Sequence, residues 1–308
     1  MNDNFRLPYI HLTITLQCQT SGSLPVNKTS MLRGVIGTIF KKNVCHDYEL
    51  MCKDCKYINT CIYPALFESP TRLVQVLQRG GTVPHPYIIR CHNEETRFQY
   101  KDNLTFEFIL MGKEAASFVT YLYHVFDKLQ TLGMGKDRVR FKVVSVTQKG
   151  ESEEEILLYN EDVISAPSLV HFRPKDKAFE KLSIQLITPL RMLREGKVVR
   201  ELKPQDLLWQ VQHRWKQLSV LHGIREETME LPEIPADSIL FCHGEWSEVR
   251  RFSNKQKRSI ALNGLKGTIS IANTPELQQW LPYLQFGELF HVGKATTFGL
   301  GQYEIWYK

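Results

Sequence analysis

Three segments concentrate the side chains that can carry chemistry. The first is His291-Val292-Gly293-Lys294-Ala295-Thr296-Thr297-Phe298-Gly299-Leu300-Gly301-Gln302-Tyr303. Glycine tolerates positive φ and lets another backbone come close. Gly293, Gly299 and Gly301 can therefore expose main-chain N–H groups, and Lys294 adds a positive charge, a combination suited to phosphate. The pattern G-x-x-x-x-G-K-[ST] of nucleotide-hydrolysing loops is absent, because Leu300 and Gly301 follow Gly299. A tight turn between a helix and an edge strand accounts for the same glycines equally well. The second segment is basic: Arg250, Arg251, Lys255, Lys257, Arg258 and Lys266, interleaved by Trp246 and Phe252. Cations track phosphates and aromatic rings stack on bases. A solvated basic hairpin would have the same composition.

The third segment is C-x6-C-x2-C-x5-C, formed by Cys45, Cys52, Cys55 and Cys61. The C-x2-C pair can chelate from one turn, and four thiolates complete a tetrahedral structural zinc site. An iron–sulfur cluster uses the same ligand type, and free thiols in a loose insertion are the third reading. Cys18, Cys91 and Cys242 read as buried small residues. His46 sits inside this cluster, with Lys41, Lys42, Tyr48 and Lys53 nearby in sequence. Histidine is the natural proton shuttle near neutral pH. Beside Cys45, His46 also reads as a metal ligand or an ordinary loop residue. Among the ten histidines, His124 and His213 fall on predicted helices and read as structural or surface groups; His11 falls on the polar face of the first strand.

The elements that must position these groups follow from periodicity. Ile10, Leu12, Ile14 and Leu16 alternate with polar residues, which predicts a strand with one buried face. Leu32, Val35, Ile36, Ile39 and Phe40 recur at helical spacing, with Thr29 or Ser30 as cap. Strands are expected at Pro86–Arg90, Leu104–Leu110 and Val139–Val146, with a helix marked by Phe118, Leu122, Val125, Phe126 and Leu129. The second half repeats the order. Leu182–Ile187, Ser238–Cys242, Thr268–Ala272 and Gln302–Tyr307 read as strands. Leu207 to Leu218 and Leu277 to Leu284 read as helices, the latter starting near Thr274-Pro275. Each half is β-α-β-β-α-β, so the expected fold is α+β with two tandem ferredoxin-like domains. The expected boundaries are 1–150 with a cysteine-rich insertion at 43–64, a linker at 151–180 and a second domain at 181–308. The linker holds Glu151, Glu153, Glu154 and Glu155, an acidic run read as solvated surface.

The 308 residues suit two domains. A net charge of +6 is compatible with a polyanionic partner. No apolar run reaches the roughly 20 residues of a membrane span, and the N-terminus lacks the pattern of a secretory signal. The expected location is cytoplasmic, with no membrane partner.

The glycine-rich segment resembles the C-terminal signature of the CRISPR repeat-processing endoribonucleases, members of the RAMP superfamily. Other stretches resemble the family in order: Leu32-Arg33-Gly34, Cys61-Ile62-Tyr63-Pro64, Leu186-Ile187-Thr188-Pro189-Leu190-Arg191, the Trp246 to Gln256 region, and Gly264-Leu265-Lys266-Gly267. The resemblance implies cleavage of CRISPR repeat RNA without a metal ion. The 2′-hydroxyl beside the scissile phosphate attacks it, leaving a 2′,3′-cyclic phosphate or 3′-phosphate and a 5′-hydroxyl. It implies a catalytic histidine just after the first helix, which is His46, with Lys53 and Tyr48 beside it; His291 is the next candidate. In this family the catalytic residues move between members, so binding carries over better than chemistry. The expected RNA contacts are Gly293, Lys294, Gly299, Gly301 and His291 of the loop, and Arg250, Arg251 and Lys255 of the basic segment. No cofactor is expected for catalysis; separately, a structural zinc is expected on the four cysteines. A CRISPR effector complex is a second expected partner. The alternative function is a non-catalytic RAMP subunit that only holds guide RNA.

Overall fold

Ile10, Leu12, Ile14 and Leu16 are fully buried on one side of a central strand, as their alternation requires. The computed structural model describes residues 6–68, 83–222, 230–253 and 258–308. It falls into two units, Leu7–His171 and Phe172–Lys308.

In the first unit the chain runs through β1 (Pro8–Cys18), β2 (Gly22–Ser23), α1 (Thr29–Val44), α2 (Ile62–Phe67), β3 (Tyr87–Arg90), β4 (Arg97–Phe98), β5 (Asn103–Met111), α3 (Ala115–Leu132), β6 (Phe141–Lys149), β7 (Glu155–Tyr159) and β8 (Val170–His171). The main sheet has the order β3-β5-β1-β6-β7, and β8 pairs with β1. All its neighbours are antiparallel. Leu32, Ile36 and Phe40 of α1 join Leu122, Val125 and Phe126 of α3 and the inward strand residues in one apolar core. Each such side chain removed from water contributes about 1.5–3 kcal/mol. The expected cap of α1 is corrected. Lys28 holds the cap position without a side-chain cap bond, and Thr29 instead bonds Asn27. Lys28 is itself buried, and its Nζ donates to the carbonyls of Asn93 and Glu95 at 2.9 and 2.6 Å.

The expected linker is also corrected. Glu153 has positive φ, and Gly150 N–H bonds Glu154 O at 2.8 Å, so the acidic run turns the chain back. It then forms β7 on the free edge of β6. Gln148, 1% exposed, donates to Ser168 O at 2.6 Å and accepts from Ser168 N–H, which ties the return toward β8. The first sheet therefore extends to His171.

The second unit contains β9 (Lys181–Leu186), β10 (Leu193–Arg194), β11 (Lys197–Val198), α4 (Pro204–Leu221), β12 (Ile239–Ser247), β13 (Arg250–Ser253), β14 (Arg258–Ala261), β15 (Gly264–Ala272), α5 (Pro275–Phe290) and β16 (Tyr303–Tyr307). Its sheet has the order β12-β15-β9-β16, all antiparallel. Leu182, Ile184, Ile269, Ile271 and Ile305 point to the buried side. The ring of Trp215 from α4 meets Phe286 of α5 edge-on at 4.8 Å. Thr274 caps α5 by accepting from Leu277 N–H, with Pro275 in the first turn, as the sequence predicts.

Candidate functional site

The glycine-rich loop leaves α5 at Phe290, whose carbonyl accepts two bonds from the buried Arg214 guanidinium at 3.2 Å each. Burial lowers the Arg214 pKa to about 10, so it remains a cation at neutral pH. A cation at a helix C-terminus is well placed against the helix dipole. The loop then presses against the turn after β9. Lys294 N–H donates to Arg191 O at 2.8 Å, Gly301 N–H to Pro189 O at 3.1 Å and Val292 N–H to Gly301 O at 3.0 Å. The Thr188 hydroxyl donates to Gly299 O and accepts from Gln302 N–H. Two of the glycines are dictated by this close approach. A Cβ on Gly301 would lie 1.8 Å from Val292 O, and one on Gly293 would lie 2.6 Å from Arg191 O, both at positive φ.

This geometry corrects two expectations. The amides of Gly299 and Gly301 are spent inside the protein, on Thr296 O and Pro189 O, and do not face a ligand. His291 is fully buried with Nδ1 3.0 Å from Leu300 O, so it is not presented to a solvent-borne substrate. What the loop turns outward is Lys294, which is exposed. Residues that the spacing analysis did not single out, Thr188 and Arg214, hold the loop; the Thr188-Pro189 break after a strand was the available signal.

The basic segment folds as the β13–β14 hairpin, with Arg250 opposite Ala261 and Ser253 opposite Arg258. Arg251 lies over the ring of Phe298 at 4.4 Å, so the hairpin and the glycine loop adjoin each other. Trp246 takes the Arg200 guanidinium at 4.7 Å. Arg250 and Arg258 are exposed. Lys255 and Lys257 lie outside the described residues.

His46, Tyr48 and Lys53 lie on the exposed segment that follows α1. Lys41 reaches from the last turn of α1 to the carbonyls of Tyr48 and Leu50 and lies 4.9 Å over the Tyr48 ring; Lys42 lies 5.7 Å from the same ring. The His46 ring is 6.4 Å from Tyr57. His46, Tyr48 and Lys53 are thus open to solvent, with the Lys41 and Lys42 ammonium groups against the Tyr48 ring. The metal expectation is corrected. Among the described residues no three His, Cys, Asp or Glu side chains converge to hold a metal ion. Cys45 turns its thiol back onto Asp47 O at 3.0 Å, and Cys52 and Cys55 flank a single 3-10 turn.

A buried polar cluster on the first sheet also escaped the sequence reading. His11 Nε2 lies 2.8 Å from Glu107 Oε2, and Arg90 Nη1 lies 3.4 Å from the same oxygen. His11 is 3% exposed, and burial pushes its pKa down. Burial also pushes the Glu107 carboxyl up, but the His11 hydrogen bond and the adjacent cations outweigh it and hold that group at about 2.

Comparison with known families fits both units. The N-terminal domain family AF_1859_N matches residues 7–169, and the family described as CRISPR-associated endoribonuclease Cas6 matches residues 184–303. Over its first unit the chain thus belongs to the AF_1859_N family, and over its second it is similar to the Cas6 endoribonucleases. Among solved structures, the family resemblance extends to the fold. A partial Cas6-RT-Cas1–Cas2 complex superposes with a TM-score of 0.56 at 12% identity, over 98% of this chain and 46% of that one. The chain thus spans under half the length of that protein. A Cas6 product complex superposes with a TM-score of 0.55 at 14% identity, over 97% of this chain and 100% of that one. Thermus thermophilus Cas6 gives a TM-score of 0.53 at 10% identity, over 97% and 99%. No curated protein matches the chain in sequence. No helix among the described residues is long and apolar enough to cross a membrane.

Proposed function

We propose that the chain is an endoribonuclease that binds CRISPR repeat RNA and cleaves it by 2′-hydroxyl attack, generating guide RNAs. The observation that carries this reading is the match of residues 184–303 to the Cas6 endoribonuclease family, over the stretch that contains the pinned glycine loop and the basic hairpin. Both units read as ferredoxin-like, each with four core strands in the order second, third, first, fourth, to which β7 and β8 add in the first. In this reading Lys294, Arg250, Arg251 and Lys255 hold RNA phosphates, and the three glycines serve by shaping the loop.

The chemistry is assigned to the segment after α1. His46 takes the proton of the attacking 2′-hydroxyl or returns one to the leaving 5′-oxygen. Lys53 stabilises charge on the phosphorane, and Tyr48, set among Lys41 and Lys42, is a second proton donor. These groups supply acid–base and electrostatic functions from the protein alone. The RNA is the partner, and a larger CRISPR assembly is a further one.

The deciding experiment is incubation of the protein with repeat RNA in the presence of chelator. Cleavage to a 5′-hydroxyl product and a 3′ or cyclic phosphate is expected. RNA retained intact would leave only the guide-holding role, and activity restored by magnesium would reject 2′-hydroxyl attack without metal.

A further inference from the structure

The open side of the second sheet carries two large rings that the mechanism does not use. Phe241 is 52% exposed and Trp306 is 59% exposed. The register sets them in one line across all four strands: Phe241 faces Ser270, Ser270 faces Ser183, and Ser183 faces Trp306. Three interstrand steps separate the two rings by about 14 Å. Between them the Ser183 and Ser270 hydroxyls bond at 2.7 Å. The next row is also polar: His243, Thr268, Gln185 and Glu304, with Thr268 donating to Gln185 at 2.6 Å. The opposite side of the same strands buries Leu182, Ile184, Ile269 and Ile271, so packing of the sheet does not require these rings.

We propose that this face is a stacking platform for unpaired bases of the bound RNA, one on Phe241 and one on Trp306. This rests on the reading of the chain as an RNA-binding protein. A protein interface concentrates apolar area at its centre, whereas the centre here is hydroxyl and amide. Such a floor suits ribose hydroxyls and base edges, while isolated rings suit individual bases. The direction of the strand adds to this. β12 runs from Phe241 past His243 to Trp246 and continues within three residues into Arg250 of the basic hairpin. Lys266, exposed, stands opposite Glu245 in the row between. RNA held by cations at the hairpin therefore has a continuous ribbon along which a single-stranded flank reaches both rings.

The test compares the full-length protein with Phe241→Ala/Trp306→Ala. Two RNAs are used: a base-paired RNA hairpin alone, and the same RNA hairpin with single-stranded flanks on both sides. Both rings are exposed, and a thermal melt checks that the variant stays folded. The double variant is expected to lose at least about tenfold in affinity for the flanked RNA and nothing for the bare hairpin. Trp306→Phe is expected to keep most of the affinity. Equal binding of the flanked RNA by both proteins overturns the platform and leaves the RNA-binding reading intact. A wild-type protein that binds neither RNA overturns both. A wild-type protein that self-associates, with a monomeric variant of unchanged RNA affinity, makes the face a protein contact and overturns the platform.

Discussion

His46 is exposed, unlike three of the other histidines. His11 is buried against Glu107, and His291 is buried against a carbonyl. His213 is stacked flat on Trp209 at 4.8 Å. His46 is exposed, and Lys41, Lys42 and Lys53 lie within seven residues of it along the chain. His46→Ala is expected to slow cleavage by about 100-fold or more. RNA affinity should stay near the wild-type value, because binding is assigned to other groups. Single-turnover cleavage and a filter-binding isotherm, run side by side, separate the two. A wild-type rate in that variant would remove His46 from the mechanism. The neighbouring cysteines teach the opposite lesson. Their spacing was legible as a ligand pattern, but spacing does not specify where thiols point, and among the described residues no three such side chains converge to hold a metal ion.

At the scale of elements, the glycine loop is a mechanical part held by its own main chain. Gly301→Ala is expected to cost about 3 kcal/mol or more, from positive φ together with a Cβ driven into Val292 O. Lys294→Ala should leave the melt within about 0.5 kcal/mol of wild type. It should instead lower RNA affinity and reduce the dependence of log K on log salt by about one. A thermal melt and a salt series of binding isotherms check this pair. The elements themselves were legible wherever burial has one face. The alternation in β1 and β9 and the helical spacing in α1, α3, α4 and α5 each reflect a single core. The loop was legible as glycine-rich but not in its bonding. Pairing of Gly301 with Pro189 spans more than a hundred residues, and no local pattern encodes it. The same holds for Glu107, whose partner His11 lies 96 positions away.

For the molecule as a whole, stability should carry the mark of that buried pair. The Glu107 carboxyl is depressed in the folded state, so its contribution is full above about pH 4.5 and is lost as pH falls through about 2. Glu107→Gln should cost about 2 kcal/mol at neutral pH. The gap to wild type should close as the acid limb is descended, which denaturant titrations from pH 7 to pH 2 would show. The division into two halves was legible from the repeated order of elements. Its position was not, because charge and proline marked 151–180 as a linker while the free edge of β6 recruited it into the first sheet. That recruitment has a practical side. A polypeptide cut after Lys149 would keep every strand and helix that the sequence pattern requires, yet it would leave β6 with an uncovered row of amides and carbonyls. Such an edge is a template for pairing with a neighbouring copy. The shorter piece is expected to precipitate or to elute as a multimer from a sizing column, and a piece ending at His171 is expected to elute as a monomer.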